Sequence, residues 1–206
     1  MSATDFLANI KTINTALGED DSILYLTTTN ADNLHLSAID KLNADTGKEL
    51  GYTTIEGDES KFVAIGYDSK VAAYSEDGIN WVETELPYDT NWRSVTYGND
   101  KFVAISSGSD SLAAYSEDGI NWVGTELPPA HSWSSVTYGN GKFVAMSAYF
   151  SSNAAYSEDG INWVGTELPM SNTWSSVAYG NGKFVAVASG HYWDQAIYSE
   201  DGITWT

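Results

Sequence analysis

Three observations predict a mainly β fold for this 206-residue chain, built of four repeated four-stranded units and preceded by a short N-terminal α-helical segment. The first is the octapeptide Tyr-Ser-Glu-Asp-Gly-Ile-Asn-Trp at 74–81, which returns at 115–122, at 156–163, and at 198–205 with Thr204 in place of Asn. The second is Lys-Phe-Val-Ala at 61–64, 101–104, 142–145 and 183–186. The third is the Trp that opens each unit, Trp92, Trp133 and Trp174, with Tyr52 in the first copy. Self-similarity at a period near 40 residues marks a repeat array, and short strand-like runs inside the period mark a β-propeller. The blades fall at about 52–87, 92–128, 133–169 and 174–206, which leaves 1–50 as an attachment or oligomerisation segment and 51–206 as the repeat domain.

The chain opens on a helix predicted over residues 2–18: Ser2 and Asp5 approximate a capping box, and Gly18 supplies a stop. Phe6, Ile10, Ile13 and Leu17 are spaced four, three and four apart, which makes an apolar stripe. A helix this short is marginal alone, so the stripe packs either on its own domain or in an oligomeric coiled coil, the second being preferred. After an acidic linker at 18–22 and the run Ile23-Leu24-Tyr25-Leu26, a second amphipathic stretch sets Leu34, Ala38, Ile39 and Leu42 on one helical face.

One repeat can be read in full from the third copy. Trp133-Ser134-Ser135-Val136-Thr137-Tyr138 is a strand, and Gly139-Asn140-Gly141 is a tight-turn signal. Residues 142–146 form the second strand, and a loop at 147–153 leads to the third at 154–157. Glu158-Asp159-Gly160 turns the chain into the fourth strand, 162–168, which Pro169 ends because it cannot donate to a ladder.

Composition narrows the function classes. A net charge of −19, from 28 carboxylates against nine Lys and Arg, repels phosphate backbones and argues against a nucleic-acid partner. The absence of Cys removes disulfides and thiolate metal sites. No apolar run approaches the ~20 residues of a membrane span, so membrane insertion is not expected. The first residues lack a secretory pattern, so work outside a cell implies release by lysis or carriage in a particle. No cofactor is expected. His35, His131 and His191 have no metal spacing, and one Glu-Asp pair per turn supplies too few oxygens for calcium.

Two stretches carry a resemblance. Leu26-Thr27-Thr28-Thr29, a polar spacer and Leu36-Ser37-Ala38-Ile39-Asp40-Lys41-Leu42-Asn43 make residues 13–45 resemble a segment of bacteriophage tail-fibre and tail-appendage proteins. The match departs at His35-Leu36-Ser37. The Ser-Glu-Asp-Gly-x-x-Trp turn resembles the Asp-box of sialidase-like propellers, one residue shorter between Asp and Gly, and also repeats of phage tail proteins. What the resemblance implies is a virion component, extracellular after lysis, whose N-terminal segment binds other tail proteins and forms a homo-oligomer, a trimer being favoured. It also implies that the box residues are structural: Ser75, Asp77, Gly78 and Trp81, then Ser116, Asp118, Gly119 and Trp122, Ser157, Asp159, Gly160 and Trp163, and Ser199, Asp201, Gly202 and Trp205.

Catalysis is not expected from the sequence. A sialidase needs an arginine cluster, and the chain has the single arginine Arg93. Most carboxylates recur in identical turns, and an active site breaks symmetry. The copies disagree instead in the loop between their second and third strands and in the blade-to-blade linkers. An up-and-down blade puts both on one face, where rigid scaffolds present binding loops. Tyr149, Phe150, His191, Tyr192, Trp193 and Asp194 are the candidate ligand-binding residues there, and aromatics beside Asp and His suit a saccharide. The function expected is a non-enzymatic virion appendage that binds a host-surface receptor, glycan by preference. A structural or decorating component without ligand is the alternative, and a glycoside hydrolase the third. The fourth copy stops at Trp205-Thr206, so closure is irregular, is completed by another subunit, or needs chain beyond these residues.

Overall fold

The computed structural model describes residues 61–130, 132–189 and 195–206 in full, and three strands before them by their backbone. Among the described residues the chain is all β, with seventeen strands in four antiparallel sheets that resemble propeller blades. The first blade holds β3 (Thr53–Gly57), β4 (Phe62–Gly66), β5 (Ser69–Ser75) and β6 (Val82–Thr90). The second holds β7 (Trp92–Gly98), β8 (Lys101–Ser106), β9 (Leu112–Ser116) and β10 (Val123–Glu126). The third holds β11 (Trp133–Gly139), β12 (Lys142–Ser147), β13 (Ser151–Ser157) and β14 (Val164–Asn172). The fourth has three strands, β15 (Trp174–Gly180), β16 (Lys183–Ala188) and β17 (Ala196–Ser199). Thr206 begins the pairing of a further strand by exchanging backbone hydrogen bonds with Tyr198 at 2.9 and 3.0 Å.

The N-terminal stretch departs from expectation. β1 (Tyr25–Asn30) and β2 (Asn33–Ser37) form a hairpin that extends the first sheet to six strands through the Leu36–Ile55 pair, and β1 comes beside β15. Leu34, expected on a helical face with Ala38, Ile39 and Leu42, therefore lies in a strand. The physical reason is the run of threonines in β1, whose branched Cβ favours a pleated ladder, together with the period-two spacing of Leu34 and Leu36. The helix expected over 2–18, with Phe6, Ile10, Ile13 and Leu17, lies outside the described residues.

The apolar core sits between the blades. Val63, Ile65, Ala72 and Leu86 of the first blade pack on Trp92, Val95 and Phe102 of the second. Ile105, Ala113 and Leu127 meet Trp133, Val136 and Ala145 at the next seam. Val144, Met146, Ala154 and Leu168 meet Trp174, Val177, Phe184 and Ile197 at the third. Each opening Trp shares a cluster with the Val three residues on, which plain alternation would put on opposite faces. The ladder register shifts between Trp92 and Ser94, and again in β11 and β15, and this bulge returns Trp and Val to one side. The turns after these strands have left-handed backbone at Asn140 (φ 46°) and Gly141 (φ 74°), as a type I′ hairpin requires.

Candidate functional site

The segments that vary between the copies come together as a cup of about 720 Å³. Its floor is laid by Trp133 and Trp174, each at most 1% exposed. Its rim is a recurring backbone clasp between the loop after the second strand and the linker before the blade. The N–H groups of Ser107, Ala148 and Ser189 donate to the carbonyls of Asn91, Ser132 and Thr173 at 2.8, 2.8 and 2.9 Å. Those clasps tie variable loops to buried strands, so the cup is held by the scaffold.

Hydroxyls dominate the lining. Ser134 Oγ donates to the Trp174 carbonyl at 2.8 Å, with the Met146 carbonyl 3.1 Å away, so its lone pairs are left for a ligand. Ser175 occupies the same position one repeat later and donates to the Val187 carbonyl at 3.1 Å. In the second copy that position is Arg93, the chain's one arginine, and it too lines the cup. Tyr67 and Tyr149 stand at the mouth. The described lining has no Asp, Glu or His. Sequence reasoning missed Arg93, Ser134 and Ser175, because they belong to the opening of the first strand and not to a loop. The available signal was the exchange of Arg93 for Ser in the copies that follow.

Tyr149 and Phe150 are 74% and 79% exposed, and both have left-handed backbone, φ 61° and 51°. Non-glycine residues there cost about 1 kcal/mol each, and asparagine or glycine is the usual choice. Two solvent-exposed aromatics kept in strained backbone are the least economical feature of the surface. His191, Tyr192, Trp193 and Asp194 lie outside the described residues, as does His131. The base of the loop that carries the four is clasped by the Ala188 N–H donating to the Gln195 carbonyl at 2.9 Å, and Ser189 lines the cup.

The box residues occupy the turns at the other end of the blades. Asp118 Oδ1 accepts from the N–H groups of Ile120 and Asn121 at 2.9 and 2.7 Å and from Ser116 Oγ at 3.0 Å, while Oδ2 accepts from Asn121 Nδ2 at 2.7 Å. Asp77, Asp159 and Asp201 repeat the arrangement. At Asp118 and Asp159 burial opposes ionisation, but the hydrogen bonds from Asn121 and Asn162 and their neighbours outweigh it and hold both carboxyls well below the ordinary range. The backbone N–H groups of Asn80 and Ile79 do the same for Asp77, and those of Thr204 and Ile203 bring Asp201 down to about 2. All four carboxylates are occupied in closing their own turns. Among the described residues no group of three or more His, Asp or Glu comes together that could hold a metal.

Two measurable consequences follow. Asp118→Ala removes bonds to a charged acceptor and is expected to cost about 2 kcal/mol in chemical denaturation. A lowered folded pKa means that the unfolded chain binds more protons between the two values. The box contribution is therefore fully present above about pH 4 and is lost as pH falls toward 2, which melting temperature against pH reports. Asp118→Asn should flatten that fall. An unchanged profile would remove the box from the acid transition.

No known protein family and no curated protein matches the sequence. Solved structures do match by shape. Selenomethionine-substituted virginiamycin B lyase from Staphylococcus aureus is 11% identical, with a TM-score of 0.66 over 92% of this chain and 71% of that one. A streptogramin B lyase is 9% identical, with a TM-score of 0.60 over 89% and 70%. The computationally designed Ika8 protein is 12% identical, with a TM-score of 0.57 over 90% and 70%. These neighbours correct the expectation that the chain is not an enzyme. Two of them are named as lyases, so repeat symmetry and this architecture are no ground for denying it catalysis. At such identities, what the chain shares with them is the β-propeller fold.

Proposed function

We propose that this chain is a tail-fibre or appendage protein of a bacteriophage virion, and that its propeller binds a host-surface glycan in and around the hydroxyl-lined cup. The observation that carries the binding half is Tyr149, which lines the cup, followed in sequence by Phe150, both exposed in backbone that neither residue prefers. Strain of this kind persists where the side chains are used. A flat aromatic face can stack on a sugar ring, and the serine oxygens and the Arg93 guanidinium below can bond its hydroxyls. The virion half rests on the resemblance of residues 13–45 and of the shortened box to phage tail proteins. Through its first fifty residues the chain then joins other tail proteins.

The test is binding of the intact chain to a glycan array and to host cells, beside Arg93→Ser, which copies the third and fourth repeats. The variant should bind at least about ten-fold more weakly, the loss of one charge-assisted contact, while its circular dichroism shows it folded. An intact chain that binds neither array nor cells, while correctly folded, would leave a virion component without a glycan ligand.

A further inference from the structure

The polar groups of the cup divide into two kinds. Ser107, Ser134 and Ser175 each spend the hydroxyl proton on a backbone carbonyl, of Asn91, Trp174 and Val187, at 3.2, 2.8 and 3.1 Å. Toward a ligand these oxygens therefore act as acceptors, and they suit the hydroxyl protons of a polyol. Arg93 is the opposite case. It is half-buried and lines the same cup, and a guanidinium offers five donors and no acceptor. A bond that it makes within the chain leaves donors in that planar fork, which matches the paired oxygens of an oxyanion such as a carboxylate or phosphate. The scaffold itself does not require the arginine. Strands β11 and β15 carry serine at the same position, with the same bulge and register as β7.

The distribution of charge points the same way. The chain carries 28 carboxylates, yet the described lining of the cup has none. Each box turn holds a Glu-Asp pair, but at the far end of the blade. The seven-residue strands β7, β11 and β15 put about 20 Å between those turns and the cup, well past the ~8 Å Debye length at physiological salt. Asp68 and Asp110 follow Tyr67 and Ser109 in sequence, but both are exposed and neither is part of the lining. We infer that the cup takes an acidic sugar, with its oxyanion on the Arg93 guanidinium and its hydroxyls donating to the serine oxygens. This rests on the glycan-binding reading above and names the class of glycan. A neutral sugar would leave the half-buried charge of Arg93 unmatched, and a bare oxyanion would meet serine lone pairs with its own.

The experiment probes an array of neutral, carboxylated, sulfated and phosphorylated glycans with the full chain. The strongest hits are then titrated before and after the charge is removed, by carboxyl reduction, desulfation or dephosphorylation. The hits should be acidic, and the neutralised form should bind at least about ten-fold more weakly. The treatment that weakens binding identifies the oxyanion. In Arg93→Ser, shown folded by circular dichroism, the acidic and neutralised forms should bind alike, and Arg93→Lys should keep part of the preference. The comparison of ligands on the parent chain holds whether or not the variants fold. Neutral hits, or acidic hits whose affinity survives removal of the charge, would overturn the inference and leave glycan binding standing. A preference undiminished in Arg93→Ser would overturn it as well, by placing the anion elsewhere. An array without a single hit for the folded chain would remove the glycan reading, and the inference with it.

Discussion

Replacing Tyr149-Phe150 by Asn-Gly is expected to weaken glycan binding strongly while making the folded chain more stable. The two residues hold φ values of 61° and 51° at the turn between β12 and β13. Asparagine and glycine are the residues such a turn prefers, so the exchange relieves about 1 to 2 kcal/mol of backbone strain. In a chain of this length that is a rise of roughly 3–6 °C in melting temperature. At the exposures observed, little packing is given up in return. Binding should fall at least about 30-fold, the loss of roughly 2 kcal/mol expected for an anchoring aromatic. The opposite signs make the result specific, since a substitution that merely damages the fold lowers both. Unchanged affinity would take the glycan site away from this turn. A drop in stability would mean that the rings pack on the protein in solution.

The second large effect concerns a glycine that resembles an ordinary turn residue. A Cβ at Gly139 would lie 2.0 Å from Cγ of Tyr179, whose ring tilts against Phe184 with centroids 4.8 Å apart. Gly98 receives Tyr138 in the same way. At Gly180, the third of the series, nothing comes within 4 Å. Gly139→Ala must push a partly buried ring out of the seam between the third and fourth blades, a cost of about 3 kcal/mol or roughly 8 °C in melting. Gly180→Ala should stay within about 0.5 kcal/mol of the parent. Equal effects at the two positions would show that the loss comes from the backbone and not from the seam.

These glycines show where reading the sequence stopped. The 41-residue period, the order of four strands, the Asn-Gly turn and the buried Trp are local or repeated features, and each was legible because one physical requirement recurs in one place per copy. Tyr-Gly-Asn-Gly reads as a turn, yet its first glycine is a socket for a tyrosine 40 residues away, which no local pattern contains. The same holds for Arg93, which belongs to the cup only because the bulge after Trp92 and the packing of blades bring strand openings to one mouth. Tyr149 and Phe150 were legible as odd aromatics in a variable loop, whereas their left-handed backbone had to be observed.

In the N-terminal region, sequence pattern and structure part. Leu34, Ala38, Ile39 and Leu42 satisfy a helical spacing, but Leu34 and Leu36 satisfy a strand spacing equally well. Threonine-rich β1, an available partner and the inner edge of the first blade settle the choice as a hairpin. The repeat, the order of its strands and its turns were thus legible, since these follow from short-range sterics and hydrogen bonding, whereas the strand expected to end before Pro169 runs on to Asn172. Which faces are covered, which glycines are sockets and which hydroxyls share a cup came from the packing of the blades. Those depend on how one repeat lies against the next, which near-identical local sequences do not encode.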